Sequence, residues 1–123
     1  MPTHGPILVV DDEADLVSTY ERLLRRQGYR VIAAGSRGAG LAIVEREPLG
    51  LLITDMRLTD GDGLDLVRAV RRLPAAPPAI VVTGFGSEAS RAAALAAGAT
   101  AYLAKPFGTS ALVSLVQNTL TVP

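Results

Sequence analysis

The sequence predicts an α/β domain: a five-stranded parallel sheet of strand order 2-1-3-4-5, doubly wound with helices on both faces. Two observations carry this. Five short apolar runs rich in Val, Ile and Leu alternate with longer segments of helical period. The runs are nearly continuous in their apolar character, as strands covered on both faces must be. Strict βα alternation then implies right-handed crossovers and a parallel sheet.

The elements follow in order. "ILVVD" (7–11) is the first strand, and "RVIAA" (30–34), "LLITD" (51–55), "AIVVT" (79–83) and "AYLAK" (101–105) are the others. The first helix, 13–27, sets Leu16, Tyr20, Leu23 and Leu24 on one stripe and stops at Gly28. Ser36 caps a second through Arg46, closed by Pro48. A third runs from about Gly63 to Arg72, before Pro74. Ser87 caps a fourth that ends at Gly98, and a fifth fills 109–120. "PAAPP" (74–78) is a stiff connector.

The bulk properties suit one domain, 1–123, with a core from about 7 to 120. Apolar residues make up 49% but aromatics only 4%, so Ala, Val, Leu and Ile must fill the core. Twelve basic residues balance twelve acidic ones, so no net field points to nucleic acid or an anionic membrane surface. The absence of cysteine excludes disulfides, thiolate metal sites and thiol catalysis. No segment reaches the roughly 20 apolar residues of a membrane span, and no secretory signal is evident, so a cytoplasmic location is expected. His4 reads as a tail residue in a leader rich in Pro and Gly.

Parallel strands all end on one edge, and ligands bind there, where strand order reverses. Strand one ends in Asp11 and Asp12, strand three in Asp55, strand four in Thr83 and strand five in Lys105. Three close carboxylates repel one another unless a cation joins them. Oxygen ligands that leave room for water and phosphate suit Mg²⁺, and Mn²⁺ would accept the same set. Asp55 can then act as a nucleophile toward phosphorus, since carboxylates form aspartyl phosphates. Thr83 and Lys105 would donate to the phosphoryl oxygens. Lys105 is the lone lysine among twelve basic residues, which favours a need for a compact ammonium on a flexible stem. Each residue also has a plain structural role. Asp12 could cap the first helix with Asp15 three residues on, and Asp55 could open a turn. What those roles leave unexplained is that all of these residues stand at corresponding strand ends.

At these residues the sequence resembles a response-regulator receiver domain of bacterial two-component signalling, a flavodoxin-like (βα)5 fold. The resemblance runs from Ile7 to about Leu120 and rests on "VVDDE" (9–13), "ITDMRL…DGDGLDL" (53–66), "VVTGFG" (81–86) and "GATAYLAKPF" (98–107). It implies that Asp55 is the phosphorylated aspartate. Asp11, Asp12, Asp55 and the main-chain carbonyl of Arg57 would hold Mg²⁺. Thr83 would engage the phosphoryl group, Lys105 would pair with it, and the bond before Pro106 would be cis. Tyr102 matches an aromatic switch that moves with Thr83 and reshapes the surface of helix four, strand five and helix five. The implied partners are a sensor histidine kinase or phosphotransfer protein and an output target. No nucleic-acid contact or enzymatic activity is implied beyond assistance to the domain's own phosphotransfer and dephosphorylation.

The sequence departs from the family pattern at Thr59, where a proline usually stands four residues after the phosphorylated aspartate, and a more mobile loop is the expectation. Arg57 and Phe85 occupy positions that tune water access to the phosphoryl group. Neither orients a water, so a long-lived phosphoryl group is expected. Helix five lacks charge, and Leu112, Val113, Leu115, Val116 and Leu120 suggest a surface wider than sheet packing needs, hence a homodimer through helices four and five. A haloacid-dehalogenase-type phosphatase would space its two aspartates one residue apart, and "DDEAD" (11–15) would repel the phosphate of a flavin. A receiver that binds partners without being phosphorylated is the principal rival. The sequence reads equally as a stand-alone regulator or as the receiver of a longer protein, and "DMRL" and "VTGFG" resemble receivers attached to transcriptional activators.

Overall fold

The computed structural model describes residues 5–84 and 86–121. Its central sheet contains β1 (Ile7–Val10), β2 (Val31–Ala34), β3 (Leu51–Asp55), β4 (Ala79–Thr83) and β5 (Ala101–Ala104). A short ribbon, Arg57–Leu58 paired antiparallel with Gly61–Asp62, lies apart from the sheet. The sheet order is β2-β1-β3-β4-β5 and every pairing in it is parallel, as the alternating pattern implies. The helices are α1 (Ala14–Arg26), α2 (Arg37–Arg46), α3 (Leu64–Arg71), α4 (Glu88–Ala97) and α5 (Thr109–Thr121).

Strand alternation divides the core into two layers. Leu8, Val10, Leu58, Val81 and their neighbours meet α2, α3 and α4. Ile7, Val9, Ile53, Ile80 and Val82 meet Tyr20 and Leu24 of α1 and Leu112 and Val116 of α5. Each fully buried Leu, Ile or Val in these layers contributes about 1.5–3 kcal/mol relative to exposure. The wide apolar surface expected on α5 is mostly consumed here. Leu112 and Val116 are buried, while Leu115 and Leu120 pack against the same layer. Among the described residues, the exposed large apolar side chain is Leu95 of α4.

Helix ends follow their local chemistry. Ser36 Oγ accepts from the Ala39 N–H and Ser87 Oγ from the Ser90 N–H, as their positions imply. Gly98 closes α4 with a φ of 111°, a conformation glycine adopts without strain. The alternative reading of Asp12 as a cap of α1 does not hold. Glu13 holds the N-cap position and makes no side-chain cap bond, because Asp11 Oδ1 accepts the Glu13 N–H and Asp12 faces another partner.

The segment after β3 is fastened to α2. Asp60 Oδ1 accepts from the Arg37 N–H at 2.7 Å and Oδ2 from the Gly38 N–H at 2.9 Å, two donors that the helix itself leaves unused. Arg37 Nε also reaches Asp65 Oδ2 at 2.8 Å. The Gly38 and Arg37 N–H bonds hold the Asp60 carboxyl below its ordinary value. A lowered folded-state pKa contributes stability that is present above the unfolded pKa and is lost as pH falls through the folded one. Asp60→Ala is therefore expected to lower the urea midpoint at pH 7, and the gap from wild type should narrow on acidification below about pH 4. A gap that is absent at pH 7, or constant with pH, contradicts this role.

Candidate functional site

The parallel sheet brings together residues far apart in the chain. β1 lies between β2 and β3, so its C-terminal end sits beside that of β3 at the point where strand order reverses. Asp11 follows β1, and its N–H continues the ladder to the Ala34 carbonyl at 3.2 Å. Asp55 ends β3. Lys105 follows β5, and its N–H donates to the Thr83 carbonyl at 2.7 Å, which ties the ends of β4 and β5 together.

Lys105 Nζ donates to Asp55 Oδ2 at 2.9 Å and to Asp11 Oδ2 at 3.2 Å. It also lies 3.5 Å from Glu13 Oε1. Asp11 is 1% exposed, Asp55 11% and Lys105 17%, whereas Glu13 is 67% exposed, so the two aspartates are the effective counter-ions. Burial pushes the Asp11 carboxyl above its ordinary value, against the opposing pull of the Glu13 N–H and the Lys105 ammonium. Burial alone would lower Lys105. Its hydrogen bond to Asp55 and the charges of Asp11 and Asp55 outweigh that and hold it above its ordinary value. The ammonium is thus firmly cationic at neutral pH.

Asp11, Asp12 and Asp55 each present one oxygen, all within 4.8 Å of one another. This donor set fits a hard divalent ion. It contains oxygen only, its charge is strongly negative, and Lys105 neutralises just part of it. Asp12 is exposed, and its Oδ2 accepts the Thr59 hydroxyl at 3.2 Å. The Arg57 N–H approaches Asp55 Oδ1 at 3.4 Å, a long and weak contact.

The remaining residues singled out in the sequence fall around this edge. Thr83 is buried at the end of β4. Tyr102 is half-buried in β5 and packs against the α2–α3–α4 layer. The Lys105–Pro106 peptide bond is cis. Phe85 and His4 lie outside the described residues. The mobile loop expected from Thr59 is instead held by the Thr59 and Asp60 hydrogen bonds. Two neighbours were given no role at the site by the sequence. Tyr20, 1% exposed on α1, stacks at a tilt on Phe107 with ring centroids 5.9 Å apart. Burial pushes its phenol up, and the charges of Asp11, Asp55 and Glu13 add to the shift. Asp60 reaches α2 across 23 residues, a separation no periodicity reveals.

The family model of the response regulator receiver domain matches residues 7–117. The chain belongs to that family. As a receiver domain it is 36% identical over 100 residues to the photosynthetic apparatus regulatory protein RegA of Rhodovulum sulfidophilum, covering 81% of this chain and 55% of that protein. The chain thus spans about half the length of that relative. A putative response regulator from Chloroflexus aurantiacus J-10-fl superposes with a TM-score of 0.89 at 34% identity, over 98% of this chain and all of that one (100%). A Burkholderia pseudomallei response regulator, solved with a phosphorylated aspartic acid, a calcium ion and citrate, superposes with a TM-score of 0.81 at 29% identity, over 94% and 72%. Among the described residues of this receiver, no helix is long and apolar enough to cross a membrane.

Gly63, at the start of α3, sits against the backbone of Asp55, and a Cβ there would fall on the Asp55 carbonyl. Its N–H donates to the Met56 carbonyl at 2.8 Å. Gly63→Ala is expected to destabilise the fold by about 1–3 kcal/mol through overpacking, read from urea unfolding. An unchanged midpoint would show that this close approach is not a constraint.

Proposed function

We propose that this receiver domain is a phosphoacceptor switch whose acceptor is Asp55. The observation that carries the reading is the Lys105 ammonium bonded to both Asp55 and Asp11, with Asp12 completing three converging carboxylates. A sensor histidine kinase or phosphotransfer protein is the donor. An Asp55 oxygen attacks the phosphorus, the P–N bond to the donor imidazole breaks, and the imidazole leaves with the bonding pair. The reaction is phosphoryl transfer onto the domain itself, and the domain acts on no separate substrate.

Asp11, Asp12, Asp55 and the Arg57 carbonyl would hold Mg²⁺, or Mn²⁺ in its place. When bound, that ion supplies positive charge against the carboxylates and the phosphoryl oxygens. Lys105 already stands at the acceptor oxygen and balances charge there without reorganisation. Thr83, at the end of the neighbouring strand, would donate its hydroxyl to the new phosphoryl group.

The readout is the surface of α4, β5 and α5, with Tyr102 as its switch. Tyr102 pairs with Val81 in the sheet, two residues before Thr83 on β4, so a movement at Thr83 is transmitted over a short path. A near-complete switch from 1:99 to 99:1 needs a differential of about 5.5 kcal/mol. Output through transcription and a cytoplasmic setting belong to this reading. A homodimer through α4 and α5 would rest chiefly on Leu95.

Incubation with a small-molecule acyl phosphate and Mg²⁺, followed by intact mass, tests the proposal. One added phosphoryl group is expected in the wild type, and none with EDTA or in Asp55→Asn. No addition in the wild type would favour a receiver that binds partners without phosphorylation.

A further inference from the structure

The third carboxylate of the cluster differs from the other two. Asp11 and Asp55 are fixed by Lys105 and by burial, whereas Asp12 is exposed and caps no helix. An exposed carboxylate left to itself samples several rotamers, and ordering it would oppose cation binding. Here the Thr59 hydroxyl meets Asp12 Oδ2 at 3.2 Å across 47 residues of sequence.

Thr59 is itself anchored. Its neighbour Asp60 takes the first two N–H donors of α2, at 2.7 and 2.9 Å. Gly61 (φ 151°) lies so close to the Arg37 stem that a Cβ would stand 2.6 Å from Cδ. The segment carrying Thr59 is therefore held from the α2 side, with the Thr59 hydroxyl facing Asp12. A proline at this position has no hydroxyl to offer.

We infer that Thr59 is a positioning residue for the cation: by donating to Asp12 Oδ2, it keeps the exposed carboxylate in register with Asp11 and Asp55. A carboxylate offers roughly four lone-pair directions, so accepting one hydrogen bond leaves capacity for a metal ion. Partners that orient a metal ligand are commonly worth 10–100-fold in affinity. At this solvent-exposed site the lower end applies. The inference rests on the phosphoacceptor reading only in taking the acidic edge to bind Mg²⁺.

The test is calorimetric titration of the unphosphorylated full chain with MgCl₂, for wild type, Thr59→Val and Thr59→Ser, with melting temperatures alongside. Thr59→Val keeps the shape and removes the donor, so its Mg²⁺ dissociation constant should rise about 10-fold. Thr59→Ser should restore near wild-type affinity, and all three melting temperatures without Mg²⁺ should agree. Equal affinity for wild type and Thr59→Val overturns the inference and leaves the metal site standing. Loss of affinity in Thr59→Ser equal to that in Thr59→Val also overturns it, since the hydroxyl would then be irrelevant. A wild type that binds no Mg²⁺ removes the metal reading and this inference together.

Discussion

The ammonium of Lys105, shared between Asp11 and Asp55, is the interaction on which the rest of the edge depends. Two like charges about 4 Å apart repel by about 4 kcal/mol at the effective dielectric of a protein surface, and Asp11 is 1% exposed, where screening by water is weak. Without the lysine the ends of β1 and β3 would be held together against that repulsion. The sheet makes the solution available. Asp11 and Asp55 lie 94 and 50 residues from Lys105 in the chain, and only parallel strands ending on one side bring all three together. The balance is incomplete by design of the residue set: three carboxylates converge and one ammonium meets them. On the proposed reading, that surplus is what a divalent cation would neutralise.

The charged edge is coupled to the helices through the segment that follows β3. Gly63 backs onto the Asp55 carbonyl, Asp62 Oδ1 accepts the Leu64 N–H at 2.8 Å to start α3, and Asp60 holds the start of α2. Arg37 then joins α2 to Asp65 of α3. Asp55 therefore sits on a backbone held from several directions on the α2–α3 side. On the other side Thr83 ends β4, and Tyr102, half-buried in β5, pairs with Val81 two residues before it.

Much of this was legible in the sequence because it follows from short-range rules. The β-branched runs, the Ser36 and Ser87 caps and the Gly28 and Gly98 stops are local signals, and together they specify the alternation and hence the edge. The convergence of Asp11, Asp12, Asp55 and Lys105 followed from that topology. What was not legible depends on distances between loops. Asp12 resembles a helix cap in sequence, yet its partner is Thr59. The absent proline at Thr59 suggested slack, while Asp60 supplies a fastening that no periodicity encodes. The apolar surface of α5 read as surplus because its length in sequence says nothing of how deeply α1 and α5 share one face of the sheet.

The most direct test of the account is the melting temperature with and without Mg²⁺ at matched ionic strength, for wild type and Asp12→Asn. If the acidic edge carries an uncompensated charge shaped for a divalent ion, Mg²⁺ at about ten times its dissociation constant should raise the wild-type melting temperature by about 5 °C. The rise should shrink sharply in Asp12→Asn. A melting temperature indifferent to Mg²⁺, or an equal rise in both proteins, would contradict it.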